Sequence, residues 1–220
     1  MLGMVLAAFR LLAAPTSDDY YTNGAAASKA RDWPAAVAAY TQCLQLNPAD
    51  YRAYCERGWV EGSQVMKYYT PNQDGTPMKV VPFGDIPNGR NNLDAAWSDL
   101  TTVIKMKPDD TNCLCQAYFY RAMLTATLAP TNSQDALADV DMAIKLKPDF
   151  AWAYGLRGYV KRASGDTVGA VADFDKALQL EPSAGIYAAR GELKKQLRDI
   201  VGGQADYVKA HELDPRIVPP

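Results

Sequence analysis

Apolar residues recur three and four positions apart along most of the chain, in alanine-rich segments that end at a proline. This period is typical of amphipathic helices, and proline ends a helix because it lacks a backbone N–H and its ring clashes with the preceding turn. Upstream of each such segment lies a second segment with the same period. The pattern predicts helix–turn–helix units and an all-α fold. The closing prolines are Pro48, Pro108, Pro148, Pro182 and Pro215.

The closing prolines reveal internal repetition, because they follow one another after 60, 40, 34 and 33 residues. The first helix of four units contains tyrosine, then arginine three residues later, then glycine or alanine. We expect the small residues to let the paired helices approach closely. In the first helices they are Gly58, Ala122, Gly158 and Gly191, and in the second helices Ala36, Ala96 and Ala136. Gly202 and Gly203 are expected to lie in a turn between two helices.

These motifs resemble the tetratricopeptide repeat (TPR) family, whose unit of roughly 34 residues carries W-x2-L-G-x2-Y, then A-x3-F, then P. In the best match, Tyr154, Gly158, Ala170, Phe174 and Pro182 occupy the family's places. Arginine replaces the family's leucine in four repeats, as in a bacterial-type subset. The resemblance implies an all-α, right-handed superhelical solenoid of about five repeats. The expected TPR domain spans 17–217, with repeats 17–50, 51–110, 111–150, 151–183 and 184–217.

By resemblance to the family, the first helices line a concave groove whose inward positions contact a peptide. Aromatic residues at helical spacing also fill cores, but we expect Tyr54, Tyr118, Tyr154 and Tyr187 to do that here. The inward positions therefore favour a binding surface with an aromatic middle. The candidate peptide-binding residues are Tyr21, Arg52, Trp59, Phe119, Met123, Trp152, Tyr159, Arg162, Glu192 and Lys195.

Some TPR domains grip the C-terminal carboxylate of a chaperone tail with lysine, asparagine and arginine. This clamp is absent here, which disfavours a chaperone-tail partner. A peptide held through aromatic and apolar side chains, with Arg52 or Arg162 at its edges, is the better hypothesis. The places equivalent to the clamp hold Tyr21, Ala25, Glu56, Gln116 and Tyr120.

Four arginines and four aspartates recur together at fixed places in the repeats. The first repeat has Asn23 and Ala39 there and lacks both charges, as a pairing between the two positions would require. We therefore predict ion pairs between the two helices, either within one repeat or one repeat out of register. The expected structural pairs are Arg57 with Asp99, Arg121 with Asp139, Arg157 with Asp173, and Arg190 with Asp206.

The second repeat is longer than the others and contains an expected insertion at 63–91. Two β-prone runs, Lys67 to Thr70 and Met78 to Phe83, flank a turn sequence, Asn72-Gln73-Asp74-Gly75, which is consistent with a hairpin. Two alternatives stay open. The insertion is either a tolerated surface loop or a flap whose aromatic residues Tyr68, Tyr69 and Phe83 cover one end of the groove.

The first 16 residues, 1–16, form an apolar segment, MLGMVLAAFRLLAA, followed by Pro15 and Thr16. The segment is similar to the apolar part of a secretory signal, but it has no basic leader and contains Arg10. As a helix it would span about 21 Å, too short for a bilayer core of about 30 Å. It is either a signal remnant, with the protein then exported or periplasmic, or a helix packed on the first repeat of a cytoplasmic protein.

The composition narrows the function. With 23 Lys and Arg against 25 Asp and Glu, the chain has no broad basic surface for nucleic acid, and no apolar run is long enough to span a membrane. It contains one histidine, His211, and no nucleophile elbow, phosphate-cradling loop or metal-ligand cluster. We therefore expect a non-enzymatic protein-interaction adaptor without metal or cofactor. The alternative is a self-assembling TPR scaffold, a homo-oligomer that docks through the N-terminal segment or the insertion.

Two further expectations concern the cysteines and the end of the array. The cysteines match no zinc spacing and are expected to be buried free thiols, although an exported chain could pair Cys43 with Cys55. In the fifth repeat, Gln204 and His211 replace apolar residues at the face that would meet a following repeat. A polar capping face is therefore expected there.

Overall fold

The computed structural model describes residues 14–66, 89–128 and 133–218 of the chain. These residues form ten α-helices and no strand. The all-α architecture is therefore confirmed. The helices are α1 (Ser17–Lys29), α2 (Trp33–Leu46), α3 (Tyr51–Met66), α4 (Gly89–Met106), α5 (Thr111–Leu128), α6 (Ser133–Leu146), α7 (Ala151–Ala163), α8 (Thr167–Leu180), α9 (Ala184–Gln196) and α10 (Ile200–Leu213).

Consecutive helices pack in pairs, α1 with α2 through to α9 with α10, so five helix pairs follow one another. Each second helix also packs on the first helix of the next pair, and first helices touch at α1/α3, α3/α5 and α5/α7. Because every pair contacts its neighbours in sequence order, the chain is a solenoid. The first helices α1, α3, α5 and α7 form one continuous face of it.

The small residues lie where the paired helices approach most closely. Ala36, Ala96, Ala122 and Ala136 are fully buried, and a Cβ on Gly158 would lie 2.6 Å from the ring of Phe174. The close approach predicted from these residues is therefore confirmed. Larger side chains here would separate the helices.

The Gly202-Gly203 expectation is wrong, because both residues lie inside α10, which begins at Ile200. Gly203 is buried against Gly191, whose carbonyl oxygen would be 2.7 Å from a Cβ placed on Gly203. Gly203 therefore serves as the small contact residue that alanine provides in the second helices of other repeats. Gly202 donates its N–H to the side chain of Asp199, the N-cap, at 2.9 Å.

The assignment of four tyrosines to the core is correct only in part. The half-buried rings of Tyr54 and Tyr118 pack against core clusters, whereas the core clusters of the described residues do not include Tyr154 or Tyr187. Each of the four rings also lies under the guanidinium of the arginine three residues later, because residues three apart share a helix face. The distance between the guanidinium carbon and the ring centroid is 5.5 to 5.9 Å. The largest fully buried side chains are instead Tyr40 and Phe174, among alanine, leucine, valine and cysteine.

All four cysteines are buried and free, so the conditional Cys43–Cys55 disulfide is not formed. The sulfur of Cys43 lies 3.8 Å from Asp50, whereas that of Cys55 lies 3.8 Å from the backbone oxygen of Cys113. The two thiols contact different neighbours because Cys43 lies between α2 and the start of α3, and Cys55 faces α5.

Several expectations fall on residues outside the described ranges. These include the β-prone runs and the aromatic flap of the insertion, within 67–88, and the apolar stretch 1–13. At the edges of the insertion, α3 continues to Met66 and α4 begins at Gly89, so both ends of 63–91 are helical. None of the described helices combines the length and apolar character needed to cross a membrane.

The outward face of α10 is mixed rather than polar. Gln204 and His211 are exposed as expected, and His211 Nδ1 lies 2.9 Å from the carbonyl oxygen of Ile217. On the same helix stripe, however, Val201 is 83% exposed and Val208 is 47% exposed. The polar cap was predicted from two positions, and the apolar residues beside them on the same stripe were missed.

Candidate functional site

Each of the four repeated arginines pairs with the aspartate of its own repeat, which decides between the two registers. Arg57 donates to both carboxylate oxygens of Asp99 at 2.7 and 2.9 Å, and Arg121 donates to both oxygens of Asp139 at 2.7 Å. Arg157 and Arg190 contact Asp173 and Asp206 in the same bidentate way. Planar guanidinium and carboxylate groups match in this geometry.

The same arginines also reach the preceding repeat, a contact that the sequence analysis missed. Their remaining terminal nitrogen donates to a side chain on the second helix of that repeat, at 2.6 to 3.2 Å. This acceptor always lies two residues after the aspartate position of the preceding repeat. We call the resulting series of contacts the arginine ladder. The acceptors are Thr41 for Arg57, Thr101 for Arg121, Asp141 for Arg157 and Asp175 for Arg190.

Four residues after each arginine, the repeats differ. Lys161 lies 2.9 Å from Asp173, and Lys194 lies 3.0 Å from Asp206, so these aspartates each bind two cations. In the second repeat this place holds Glu61, which is buried beside Asp99. Its Oε2 has no hydrogen-bond partner in the described part of the chain. Burial and the negative charge of Asp99 raise the pKa of Glu61 to about 7.

The first-helix face contains an apolar cavity of about 440 Å³ between α5, α7 and the α8–α9 turn. This volume lies within the usual range for ligand sites, roughly 300 to 1,000 Å³. We call it the apolar cavity. It is lined by Phe119, Met123, Ala151, Trp152, Gly155, Leu156, Tyr159, Ala177, Glu181, Pro182, Ser183, Gly185 and Ile186.

Four of the ten predicted groove residues meet in the apolar cavity. Trp152 is 65% exposed and Tyr159 is 36% exposed, and both project from α7. Phe119 and Met123 approach from α5, one turn apart. Phe119 is mostly buried, with its ring centroid 4.9 Å from that of Phe150, so it belongs to the core as well as to the cavity wall.

The apolar cavity also has members that sequence reasoning missed. Gly155 lies on its floor, where a Cβ would be 3.1 Å from Ile186. Leu156 and Ile186 add aliphatic surface. The spacing of Trp152, Gly155 and Tyr159, three and four residues apart, places them on one face of α7 and could have indicated the gap that glycine leaves.

A second, smaller cavity of about 260 Å³ lies between α1, α3 and α5. Trp59, the fifth predicted groove residue, forms one wall with Tyr120, at a centroid distance of 6.1 Å and edge-to-face. Trp33 supports Trp59 from behind at 5.8 Å. The full lining is Ser28, Lys29, Cys55, Glu56, Trp59, Gln116 and Tyr120, and we call this the glutamate cavity.

The remaining predicted groove residues are engaged with other parts of the chain. The guanidinium of Arg52 donates to Asp50 and to Asp18 and covers the ring of Tyr21 at 4.7 Å. Arg162 lies 5.1 Å over the ring of Tyr159, at the rim of the apolar cavity.

Near the C-terminal end of the array, two further predicted groove residues on α9 pack on α10. Glu192 accepts a hydrogen bond from the hydroxyl of Tyr207 at 3.0 Å, and the ammonium of Lys195 lies 5.4 Å from the centroid of the same ring. Neither residue lines the apolar or the glutamate cavity.

Comparison with known proteins gives one short sequence match and many structural ones. No model of a known protein family matches the sequence. A stretch of 49 residues is 43% identical to the Hsp70-Hsp90 organizing protein of Triticum aestivum. The match covers 22% of this chain and 8% of that protein.

Solved structures resemble the chain over most of its length. TTC0263, a thermophilic TPR protein of Thermus thermophilus, has a TM-score of 0.61 at 19% identity, covering 91% of this chain and 92% of its own. YrrB, a TPR protein described as having an unusual peptide-binding site, has a TM-score of 0.61 at 14% identity. The match covers 90% of this chain and 87% of that chain. MamA from Desulfovibrio magneticus RS-1, residues 41 to the end, has a TM-score of 0.66 at 14% identity. The match covers 90% of this chain and 95% of that chain. At such identities the likeness concerns the fold.

Proposed function

The chain has the fold of tetratricopeptide-repeat proteins, and on that premise we propose that it is a non-enzymatic adaptor that binds a peptide segment of a partner protein in its concave groove. Fold alone does not define a function, so the proposal rests on the groove itself. The observation that carries it is the apolar cavity, where an exposed tryptophan and a partly exposed tyrosine border one concave volume.

Exposed aromatic surface of this kind is unfavourable in water and is typical of binding sites. Trp152 is 65% exposed although its neighbours in the cavity are apolar. Scattered apolar residues are common on protein surfaces, whereas a concave cluster of aromatic and aliphatic side chains marks an interaction site. A partner side chain inserted between Trp152 and Tyr159 would remove this surface from water.

The fixed shape of the groove also supports a binding role. The arginine ladder holds neighbouring repeats in register, so the first helices present their side chains at set positions. A preorganised surface binds with a smaller loss of conformational freedom. Backbone polar groups of an extended peptide would meet Ser183, Glu181 and the backbone of Gly185 at the edge of the apolar cavity.

The experiment is a selection of random peptides displayed on phage against the purified full chain. Trp152→Ala serves as the test variant and Trp97→Ala as its matched control. Trp97 is also exposed, at 47%, but it lies on α4 beside Arg121 and lines neither cavity. We expect enriched peptides with an apolar anchor that bind the wild type and Trp97→Ala but not Trp152→Ala. No enrichment, or binding that ignores Trp152, would overturn the proposal.

The alternative of a self-assembling scaffold stays a prediction. Its expected docking elements, 1–16 and 63–91, lie largely outside the described residues. Sedimentation velocity over a range of concentrations, on the full chain and on a variant lacking residues 1–16, separates the two functions. An adaptor is expected to sediment alike with and without the segment, whereas oligomers that disappear on truncation would favour the scaffold.

A further inference from the structure

The glutamate cavity contains a carboxylate that the chain itself leaves unpaired. Glu56 lines the cavity floor on α3, and within the described residues it has no hydrogen-bond or ion-pair partner. Burial raises the pKa of this carboxyl group. A carboxyl group that is partly removed from water without a partner loses part of its solvation energy, which a cation would restore.

Two aromatic rings line the same cavity as this carboxylate. Trp59 and Tyr120 form the walls, and burial, together with the negative charge of Glu56, raises the pKa of Tyr21 to about 12. Aromatic faces attract cations, with energies of about 0.5 to 2 kcal/mol. A carboxylate within aromatic walls is thus suited to an ammonium or guanidinium group and unsuited to an anion.

The basic residues near the glutamate cavity do not form an ion pair with Glu56. The guanidinium of Arg52 already donates to Asp18 and Asp50. Lys29 lies on the rim of the cavity but makes no ion pair with Glu56. Among the positions equivalent to the carboxylate clamp of some TPR proteins, Glu56 alone is charged, and its charge is opposite to that of the clamp's basic residues.

We propose that the glutamate cavity binds a lysine or arginine side chain of the partner peptide, which places a basic residue beside the apolar anchor. This inference deepens the proposed function and rests on it. The two cavities share α5, since Gln116 and Tyr120 line one and Phe119 and Met123 line the other. Their centres are one to two interhelix spacings apart, about 9 to 18 Å, or roughly three to five residues of extended chain.

The first experiment tests the cavity without any partner. Nα-acetyl-lysine amide is titrated into the 15N-labelled full chain while the indole signals of the four tryptophans are followed. The control ligand is Nα-acetyl-norleucine amide, which has the aliphatic chain without the ammonium group. We expect a saturable shift of the Trp59 signal with the lysine amide alone.

The test variant is Glu56→Gln, which keeps the shape and removes the charge. It is expected to fold at least as well as the wild type, because the partly buried carboxylate of Glu56 is removed. The matched control is Glu61→Gln, a buried acid on the same helix that faces Asp99 instead. Affinity for the lysine amide should fall at least tenfold in Glu56→Gln and stay unchanged in Glu61→Gln. The inference would be overturned by a response to the norleucine amide or by an unchanged response to the lysine amide in Glu56→Gln. A Trp59 signal that does not shift when the lysine amide is added to the wild type would also overturn it.

The selected peptides separate this inference from the proposed function. Peptides that need Trp152 but carry no lysine or arginine three to five residues from the apolar anchor would leave the adaptor function in place and overturn the basic subsite. A Glu56-dependent shift of Trp59 without any selected peptide would support the cation site and overturn the peptide groove. Enrichment of basic residues at that distance, lost in Glu56→Gln, supports both.

Discussion

Arg157 donates to both carboxylate oxygens of Asp173, at 2.9 and 2.6 Å, across the two helices of the fourth repeat. The same guanidinium donates to Asp141 of the third repeat at 2.7 Å. One side chain therefore sets the packing within a repeat and the position of that repeat on its neighbour. Because the contact recurs in four repeats, it links each of these repeats to the one before it.

The first prediction compares two steps of the arginine ladder. Asp139 has Arg121 as its one cationic partner among the described residues, whereas Asp173 also binds Lys161. Arg121→Met leaves a buried carboxylate without a cation and should cost about 3 to 4 kcal/mol. Arg157→Met should cost about 1 to 2 kcal/mol, because the lysine remains. Urea unfolding of the two variants measures the difference.

Removing both Arg121 and Asp139, the pair without a second cation, provides the control for this comparison. The double variant Arg121→Met with Asp139→Leu should lose less than the sum of the two single losses, since no buried charge is left unpaired. Equal losses for the Arg121 and Arg157 variants, or additive losses in the double variant, would show that the pairs do not act as described.

The pairs could be predicted from the sequence because arginine and aspartate recur together and are lost together in the first repeat, at Asn23 and Ala39. The third contact could not, since Thr41 and Asp141 differ in type and their role depends on how repeats stack. Periodicity likewise predicted that Trp152 and Tyr159 share a face. It did not predict the burial of Phe119, which depends on Phe150 from the following turn.

The glutamate cavity shows a second limit of sequence reasoning. In the sequence, Glu56 is one of five residues at the places of an absent carboxylate clamp, and nothing there measures how far its carboxyl group is removed from water. That depends on Trp59, Tyr120 and Cys55 arriving from two helices. Tyr154 and Tyr187 of the Tyr-x-x-Arg motif were misassigned for a related reason, because helical spacing defines a face without saying what covers it.

The second prediction concerns pH and Glu61. Its pKa in the fold is about 7, above the ordinary value of 4.5, so ionisation destabilises the folded state. Stability should fall as pH rises from about 4.5 through about 7, and Glu61→Gln should remove that fall. At pH 8 the variant should gain about 1 to 3 kcal/mol, with little gain at about pH 4.5. Urea unfolding at the two pH values measures the gain.

Other repeats provide a matched comparison for this position. Glu61→Lys recreates the contact that Lys161 and Lys194 make with their aspartates, so it should stabilise the fold at about pH 8 at least as much as Glu61→Gln. Glu212→Gln, at an exposed acid paired with Lys209, should change stability far less than Glu61→Gln at about pH 8, because exposed ion pairs contribute little. A Glu61→Gln gain of the same size at both pH values would contradict the raised pKa.

The third prediction is that the thiols are inert in the folded protein. A hydrogen bond with Cys113, together with burial, raises the pKa of the Cys55 thiol, and burial raises those of Cys43 and Cys115. Thiolate is the reactive form, so labelling with Ellman's reagent should be slow in native protein and rapid for all four cysteines in urea. Rapid labelling of Cys55 in the native state would contradict the burial described here.

The central claim is that the groove binds a peptide through Trp152, and fluorescence anisotropy with the enriched peptides tests it most directly. Central aromatic residues contribute about 2 kcal/mol or more to an interface, which corresponds to roughly thirtyfold in Kd. We predict that Trp152→Ala weakens binding by at least that factor, while Trp97→Ala binds like the wild type and both variants keep the wild-type unfolding curve. Equal affinities for the wild type and Trp152→Ala would contradict the account.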